Sequence, residues 1–541
     1  MKPTTNQKNA GEGTDKPDGG TGTWVVLQPS RIVKIVMIST AFWALVLYYM
    51  QNGDGGVASV LFKPSAFSLP LLPSVTSGQS PRPEHQHAGL GQAPPPPPPP
   101  PMVLADRCRG RYVYMYDLPP RFNDDLVRDC RNLQIWMDMC PYMVNCGMGP
   151  AMGDEGGAFS GSGWFATDQF SLDIIFHGRM KGYECLTDDP SLAAAVYVPF
   201  YAALDGGRYQ WNSTSMRDAL SLDLVEWLAR RPEWRAMGGR DHFLVAGRTA
   251  VDFSRNSDLD HEWGDKLLNF PAVENMTALV LETNQWKPKQ KRNLAVPYPT
   301  YFHPESAADV VAWQEKVRST EREWLFSFAG GPRPGNTETV RAEIIQQCGA
   351  SSRCRLFHCG AGANDCSSPG GVMRVFESSS FCLQPRGDTL TRRSTFDAIL
   401  AGCIPVFFHP GSAYTQYTAH LPKDPNSYSV LIMHTDVTGR NVSIEDTLSN
   451  ISPAAVKAMR EEVIRLIPRL VYADPRSRRV DFTDAFDLAM DAVIDRWPSG
   501  GAAWPVARTS AAATTMRQSG QRHLSFSFNL LLITHGYGKI H

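Results

Sequence analysis

The chain has 541 residues, 53 Lys and Arg against 54 Asp and Glu for a net charge of -1, and is 43% hydrophobic and 10% aromatic. That balance excludes a nucleic-acid or other polyanion binder held by bulk charge, excludes a fully disordered chain, and supplies material for a large core. Glycine and proline, 44 and 41 residues, exceed their usual share, mostly within the first hundred residues, so about 400 residues, or two domains, remain to fold.

In chain order, the first element is the uncharged apolar run Ile35 to Met50, between the charged flank Arg31 to Lys34 and the polar pair Gln51 and Asn52. As a helix, with Ile32 and Val33 added and Lys34 snorkelling, it covers about 28 Å, suited to a thin bilayer of about 27 Å such as ER or Golgi. Lys2, Lys8, Lys16, Arg31 and Lys34 precede it and only Lys63 follows closely, so the positive-inside rule predicts a type II anchor with the remainder lumenal. A cleaved signal peptide fits less well, because some 30 residues precede the run and no Ala-x-Ala site follows. The next segment, 51–105, is rich in Gly, Ser and Pro and carries the prolines Pro94 to Pro101, which form an extended stem.

Asn212, Asn275, Asn441 and Asn450 each open an Asn-x-Ser/Thr triplet on the expected lumenal side. All 11 cysteines follow residue 107. Cys108, Cys130, Cys140 and Cys146 form one group and Cys348, Cys354, Cys359 and Cys366 another, while Cys185, Cys382 and Cys403 stand alone in apolar contexts. A lumenal setting makes disulfides the expected use, with three connectivities open for each group of four. The odd total leaves at least one free thiol, expected to be buried.

From residue 106 short apolar runs alternate with helical periods, the pattern of a doubly wound α/β sheet. Strands are expected at Tyr112 to Tyr116, Ala194 to Pro199, Phe243 to Ala246 and Ala278 to Leu281. Leu172, Ile175, Phe176 and Met180 mark a helix behind the capping candidates Thr167 and Asp168; Met216, Leu220, Leu224, Trp227 and Leu228 mark another, ending before Pro232. The segment Lys287 to Glu323 reads as linker and helix. A second unit opens with the strand Trp324 to Phe328 and the glycine loop Ala329 to Gly335, which contains Gly330 and Gly331.

Val372 to His409 reads as a helix face (Val372, Val375, Phe376) followed by one βαβ unit: strand Ser380 to Leu383, loop Gln384 to Thr389, helix Thr391 to Ala401 stopped by Gly402, and strand Ile404 to Phe408. The loop of such a unit lies at the carboxyl edge of the sheet, where free N–H groups of the next helix attract phosphate. Arg386, Arg392 and Arg393 are expected to converge there. Arg392 and Arg393 fall in a first helical turn, where cations oppose the helix dipole, so an anionic ligand explains a placement that folding alone disfavours. Asp388 is expected to cap the helix or accept from a ribose hydroxyl. A solvated basic turn with a capping Asp is the plain alternative.

The stretch Ser379 to Tyr414, Ser-Ser-Phe-Cys-Leu-Gln-Pro-Arg-Gly-Asp-Thr-Leu-Thr-Arg-Arg onward, closely resembles the signature of plant exostosin-family glycosyltransferases, and within them the xyloglucan galactosyltransferases. Tyr112 to Phe122, Met180 to Leu186, Val198 to Tyr201, Asp241 to Gly247, Pro297 to His303 and Ile467 to Arg476 resemble the same group in the same order, covering about Cys108 to Trp497. The resemblance implies a type II Golgi enzyme with two Rossmann-like domains of GT-B type and an inverting mechanism without a bound metal or cofactor. It implies a UDP-galactose donor held by Arg386, Asp388, Thr389, Arg392, Arg393, Asp397, Gly330 and Gly331, a xyloglucan acceptor, and complexes with other cell-wall transferases. Related exostosin-like enzymes transfer glucuronic acid, arabinose or xylose, and a catalytically silent glycan-binding partner is the reading from another class. Cys146 stands where the family carries a small non-thiol residue, and is the candidate for the odd cysteine.

The expected organisation is a cytosolic tail at 1–34, the anchor at 35–50, the stem at 51–105, an acceptor-side domain with linker at 106–323, a nucleotide-sugar domain at 324–497, and an unpatterned tail at 498–541. Inverting transfer needs a base on the acceptor side and stabilisation of the departing UDP on the other. His242 and Asp205 are the base candidates, against the alternatives of a satisfied core histidine and an ordinary turn acid. Tyr201, Tyr209 and Trp211 near Asp205 are candidates to stack on a sugar chain. Asp258-Leu-Asp260 is the one Asp-x-Asp triplet; it lies in a polar stretch with no strand before it and reads as a solvated loop, as His85 and His87 read as stem.

Overall fold

Unbroken apolar runs bounded by turn residues become strands buried on both faces, as parallel sheets covered by helices require. The structure, a computed structural model, describes residues 106, 108–154, 157–286, 292–332, 339–359 and 368–496. The anchor, the stem with its prolines and histidines, residues 333–335 of the glycine loop, Cys366 and the tail at 498–541 lie outside the described residues. No helix among the described residues is long and apolar enough to cross a membrane.

The first sheet has six parallel strands: β1 (Tyr112–Met115), β2 (Leu186–Thr187), β3 (Ala193–Val198), β4 (His242–Thr249), β5 (Thr277–Glu282) and β6 (Asn293–Ala295), in spatial order β2-β1-β3-β4-β5-β6. The second has five, also parallel: β7 (Trp324–Gly330), β8 (Cys354–His358), β9 (Ser379–Gln384), β10 (Ile404–Phe407) and β11 (Val430–Leu431), in order β11-β10-β9-β7-β8. Counted from its own first strand, the first sheet runs 2-1-3-4-5-6 and the second 2-1-3-4-5. Each is therefore doubly wound, with a switch point between its first and third strands, where the carboxyl edge opens a ligand crevice. The order begins 2-1-3, not 3-2-1 as in the dinucleotide-binding form. The short edge strands β2, β6, β8 and β11 were not legible as apolar runs, and β6 lies inside the expected linker.

Side chains alternate faces along the first sheet. Val113, Tyr197, Phe243, Val245 and Leu279 enter one core, and Val196, Leu244, Ala246 and Val280 the other. Helix α1 (Leu172–Lys181) covers the first face with Leu172, Ile175, Phe176 and Met180. Its N-cap is Ser171, not Thr167 or Asp168; the Thr167 hydroxyl instead donates to the Met148 carbonyl. Helix α2 (Ala202–Arg208) follows β3, and α3 (Thr214–Ala229) covers the second face with Leu224 and Leu228.

In the second half α4 (Ala307–Ser319) starts at a Ser306 and Asp309 capping box, and α5 (Val340–Ala350) and α6 (Pro369–Glu377) follow. Helix α7 (Arg393–Leu400) turns Phe396 and Ile399 into the core shared by both sheets. Helix α8 (Pro453–Leu466) leads to α9 (Ala485–Ile494). The last helix, expected with the second unit, returns to the first: Phe486 lies 4.7 Å from Phe176, Asp484 pairs with buried Arg179 at 3.1 Å, and Asp491 and Asp495 both bond Arg111.

The disulfides depart from the sequence grouping. Cys108 pairs with Cys185 and Cys382 with Cys403, so three cysteines read as solitary are bonded. Cys130 pairs with Cys140 and Cys348 with Cys354. Among the described residues the free thiol is Cys146, and it is exposed rather than buried.

Candidate active site

The carboxyl edges of the two sheets face one cavity of about 1010 Å³. On the second-lobe wall, Gly330 ends β7 and Gly331 follows it, and Gln384 ends β9 with Pro385, Asp388 and Thr389 after it, so both sides of that sheet's switch point line the cavity. Glycine is required at Gly331, where a Cβ would meet fixed backbone, whereas at Gly387 the neighbour is the movable end of the Arg392 side chain. A Cβ at Gly331 would fall 2.0 Å from the Cys359 carbonyl oxygen, and one at Gly387 would fall 1.3 Å from Arg392 Nη1.

Arg392 is the N-cap of α7, in extended conformation and exposed, and its guanidinium makes no hydrogen bond or ion pair with the described residues. It stands beside the N–H groups of Arg393 and Ser394, which open α7 and have no hydrogen-bond partner among the described residues. Arg393 is already committed. Its Nη1 donates to the Thr167 carbonyl of the first lobe at 2.6 Å, its guanidinium lies 3.6 Å over the Tyr301 ring, and its Nε is 3.5 Å from Asp397 Oδ2. Asp397 lines the cavity, and burial pushes its carboxyl up to about 6 against the opposing pull of Arg393. Arg386 does not join the wall; its side chain is exposed elsewhere, and its carbonyl accepts from Arg341 Nη2 at 3.2 Å. Asp388 lines the cavity but does not cap α7, since that position belongs to Arg392.

The loop before α7 is pinned by a carboxylate from the other lobe. Glu282, at the end of β5, accepts from the Thr389 hydroxyl at 2.7 Å, the Thr391 N–H at 2.9 Å and the Tyr298 hydroxyl at 2.7 Å. Burial raises its carboxyl to about 7, opposed by these bonds and by Arg392.

The first-lobe wall carries Gln210, Trp211, Arg248, Asp252 and Trp263. Arg248 is buried, donates from Nε to the Ala203 carbonyl at 2.8 Å and lies 4.1 Å over Phe170. Asp252 follows β4 in a capping box: Oδ2 accepts from the Thr249 N–H and hydroxyl, and Oδ1 accepts from the Trp263 indole at 2.7 Å. Three of about four acceptor sites of the carboxylate are filled, leaving one open.

Neither proposed base lies on this wall. His242 opens β4 at the amino edge of the sheet, is buried beside Trp234, and has both ring nitrogens bonded, Nε2 with the Tyr116 hydroxyl and Nδ1 with Asp241. It is a satisfied core histidine. Asp205 sits in α2 rather than in a turn and lines two other cavities, of about 10 and 460 Å³. Its Oδ1 has no hydrogen-bond partner among the described residues, and burial raises its carboxyl to about 7 with Arg208 opposing.

Asp258 is ion-paired with Lys266, and Asp260 accepts from the Thr214 N–H at 2.7 Å; both are exposed. Among the described residues no group of His, Cys, Asp and Glu is arranged to hold a metal ion. Asn212, Asn275, Asn441 and Asn450 are all exposed. Sequence reasoning missed Arg341, Gln384, Arg248 and Asp252. The signal was available for Arg341, which falls in the first turn of the helix after β7 just as Arg392 and Arg393 follow β9.

The Exostosin GT47 domain matches residues 107–448. The chain is 54% identical over 393 residues to xyloglucan galactosyltransferase MUR3 of Arabidopsis thaliana, covering 72% of this chain and 63% of that one. It is 48% identical over 400 residues to the probable xyloglucan galactosyltransferase GT12 of the same plant, 72% and 77% of the two chains. Xyloglucan-specific galacturonosyltransferase 1 of that plant is 40% identical over 393 residues, 72% and 57%. Among solved structures, WaaG, a glycosyltransferase involved in lipopolysaccharide biosynthesis, aligns at a TM-score of 0.27 and 11% identity over 61% of this chain and 96% of that one. The matched domain spans both sheets and the whole cavity wall from Trp136 to Asp397, and the chain belongs to the exostosin family of glycosyltransferases, near the xyloglucan galactosyltransferases.

Proposed function

We propose that the protein is an inverting transferase of GT-B type that moves galactose from UDP-galactose to xylose side chains of xyloglucan. The observation that carries this reading is Arg392, whose guanidinium has no partner among the described residues, beside the first N–H groups of α7 at the switch point of the second sheet, an arrangement suited to a pyrophosphate. The likeness to xyloglucan galactosyltransferases supports the sugar and the acceptor.

The acceptor hydroxyl oxygen bonds to the anomeric carbon as the bond from that carbon to UDP breaks; the electron pair leaves with UDP, and the hydroxyl proton passes to a base. Arg392 and the α7 N–H groups stabilise the charge gathering on UDP. Asp252 is the first-lobe carboxylate on the cavity wall and takes the proton in this reading. Asp205, one cavity away, is the second candidate.

The reading extends to a type II Golgi enzyme anchored by Ile35 to Met50, with residues 106–323 and 324–497 as acceptor and donor domains in its lumen, glycosylated at the four exposed asparagines and working beside other cell-wall transferases. It includes independence from metal. The test is the full chain in detergent, given a panel of UDP-sugars with xyloglucan oligosaccharides. Turnover of UDP-galactose, insensitive to EDTA, is expected. Preference for another UDP-sugar, such as UDP-galacturonic acid, overturns the donor, and no turnover of any donor favours a silent glycan-binding partner.

A further inference from the structure

Three tryptophans stand exposed on the first-lobe wall of the cavity: Trp136, Trp211 and Trp263, at 54%, 68% and 41% of their surface. Folding gives no reason for this, since an indole left in water forgoes the burial that makes aromatics dominate cores, and three converging on one cavity are unlike scattered surface apolar residues. Trp211 and Trp263 meet edge to face with ring centroids 5.5 Å apart. Trp136 comes from the loop closed by the disulfide between Cys130 and Cys140, which buries Leu133 and Met139 while holding Trp136 and Ile135 out. Trp263 also donates its indole N–H to Asp252.

We infer that these tryptophans form the acceptor subsite, a stacking platform for the backbone of a β-linked glucan that carries the branch hydroxyl toward Asp252. The pyranose rings of such a chain present apolar C–H faces edged by hydroxyls, and indoles are the flat apolar partners that match them. The second-lobe wall carries the phosphate-binding chemistry, so this wall is the part of the cavity the donor does not need. The inference deepens the proposed function and rests on it for the identity of the glucan. Trp136 and Trp211 set affinity for the chain. Trp263 does so too, and in addition orients the Asp252 carboxylate through its N–H.

The test uses the full chain in detergent and the double substitution Trp136→Ala and Trp211→Ala, away from the Asp252 contact. Xyloglucan affinity electrophoresis reads glucan binding, calorimetry reads UDP binding, and initial rates read acceptor KM. Wild type is expected to be retarded by xyloglucan, the double variant to lose most of that retardation and to show an acceptor KM about 5- to 30-fold higher, and both to bind UDP alike. Trp211→Phe, which keeps a ring, should restore part of the loss. Equal retardation of wild type and double variant, or no retardation of wild type, overturns the subsite. A wild type that is retarded yet transfers no sugar sinks the proposed reaction and leaves the subsite standing.

Discussion

The two walls of the cavity come from sheets with the same strand order, yet they carry opposite chemistry. The second-lobe wall offers glycines at the switch point, the first N–H groups of α7 and Arg392, unpaired among the described residues. The first-lobe wall offers indoles and the carboxylate of Asp252. Strand order fixes where a ligand can lie, and the loops after the strands fix which ligand that is. Within the second wall the contrast repeats at shorter range. Arg392 and Arg393 are neighbours, but one faces the cavity unpaired and the other holds Thr167 of the opposite lobe.

Removing the acid of the first wall should cost most. Asp252→Asn is expected to lower kcat roughly 100-fold or more while UDP affinity stays near wild type; single-turnover rates and calorimetry check this. A wild-type kcat moves the base to Asp205. Next comes the phosphate side. Arg392→Ala is expected to weaken UDP and lower kcat/KM about 10- to 150-fold, the loss of about 1.5 to 3 kcal/mol from a charge-assisted contact, with no change in Tm. Unchanged UDP affinity would make Arg392 a solvated turn and erase the difference between the walls.

Arg393→Ala should instead act on stability. It strands the Thr167 carbonyl and leaves buried Asp397 without its cation, at about 1 to 3 kcal/mol, seen as a lower Tm in thermal unfolding. If its Tm is unchanged and UDP binding falls, the two arginines share one role.

The smallest effect concerns pH. Burial holds Asp205 at about 7 against an ordinary 3.8. An acid whose folded pKa is raised contributes stability that is full below the unfolded value and lost as pH rises through the folded one. The native state should therefore lose stability between about pH 4 and pH 7, and Asp205→Asn should flatten that slope by a few °C in Tm. An identical slope in the variant assigns the loss to other buried carboxylates, such as Glu282 and Asp173, which burial also raises to about 7.

The sequence by itself determined the class of fold and the βαβ unit whose loop lines the cavity. The apolar runs at β1, β3, β4 and β5 and the helical period of α1 are local signals, readable because a buried strand and an amphipathic helix repeat over a few residues. The glycine strand end and the loop before α7 were legible for the same reason. The objection to His242 was legible too, since it opens its strand while ligands gather at the far end of parallel strands. Contacts between distant residues were left to the tertiary structure. The bond from Arg393 to Thr167 crosses 226 residues, and the Cys108 to Cys185 disulfide crosses 77. The return of α9 to the first sheet is equally long-range. Nothing periodic marks Asp252 or the three tryptophans as neighbours; they meet because β4, the loop after α2 and a disulfide-closed loop end at one cavity. Local periodicity encodes which elements form, and only their packing decides which loop residues face one another.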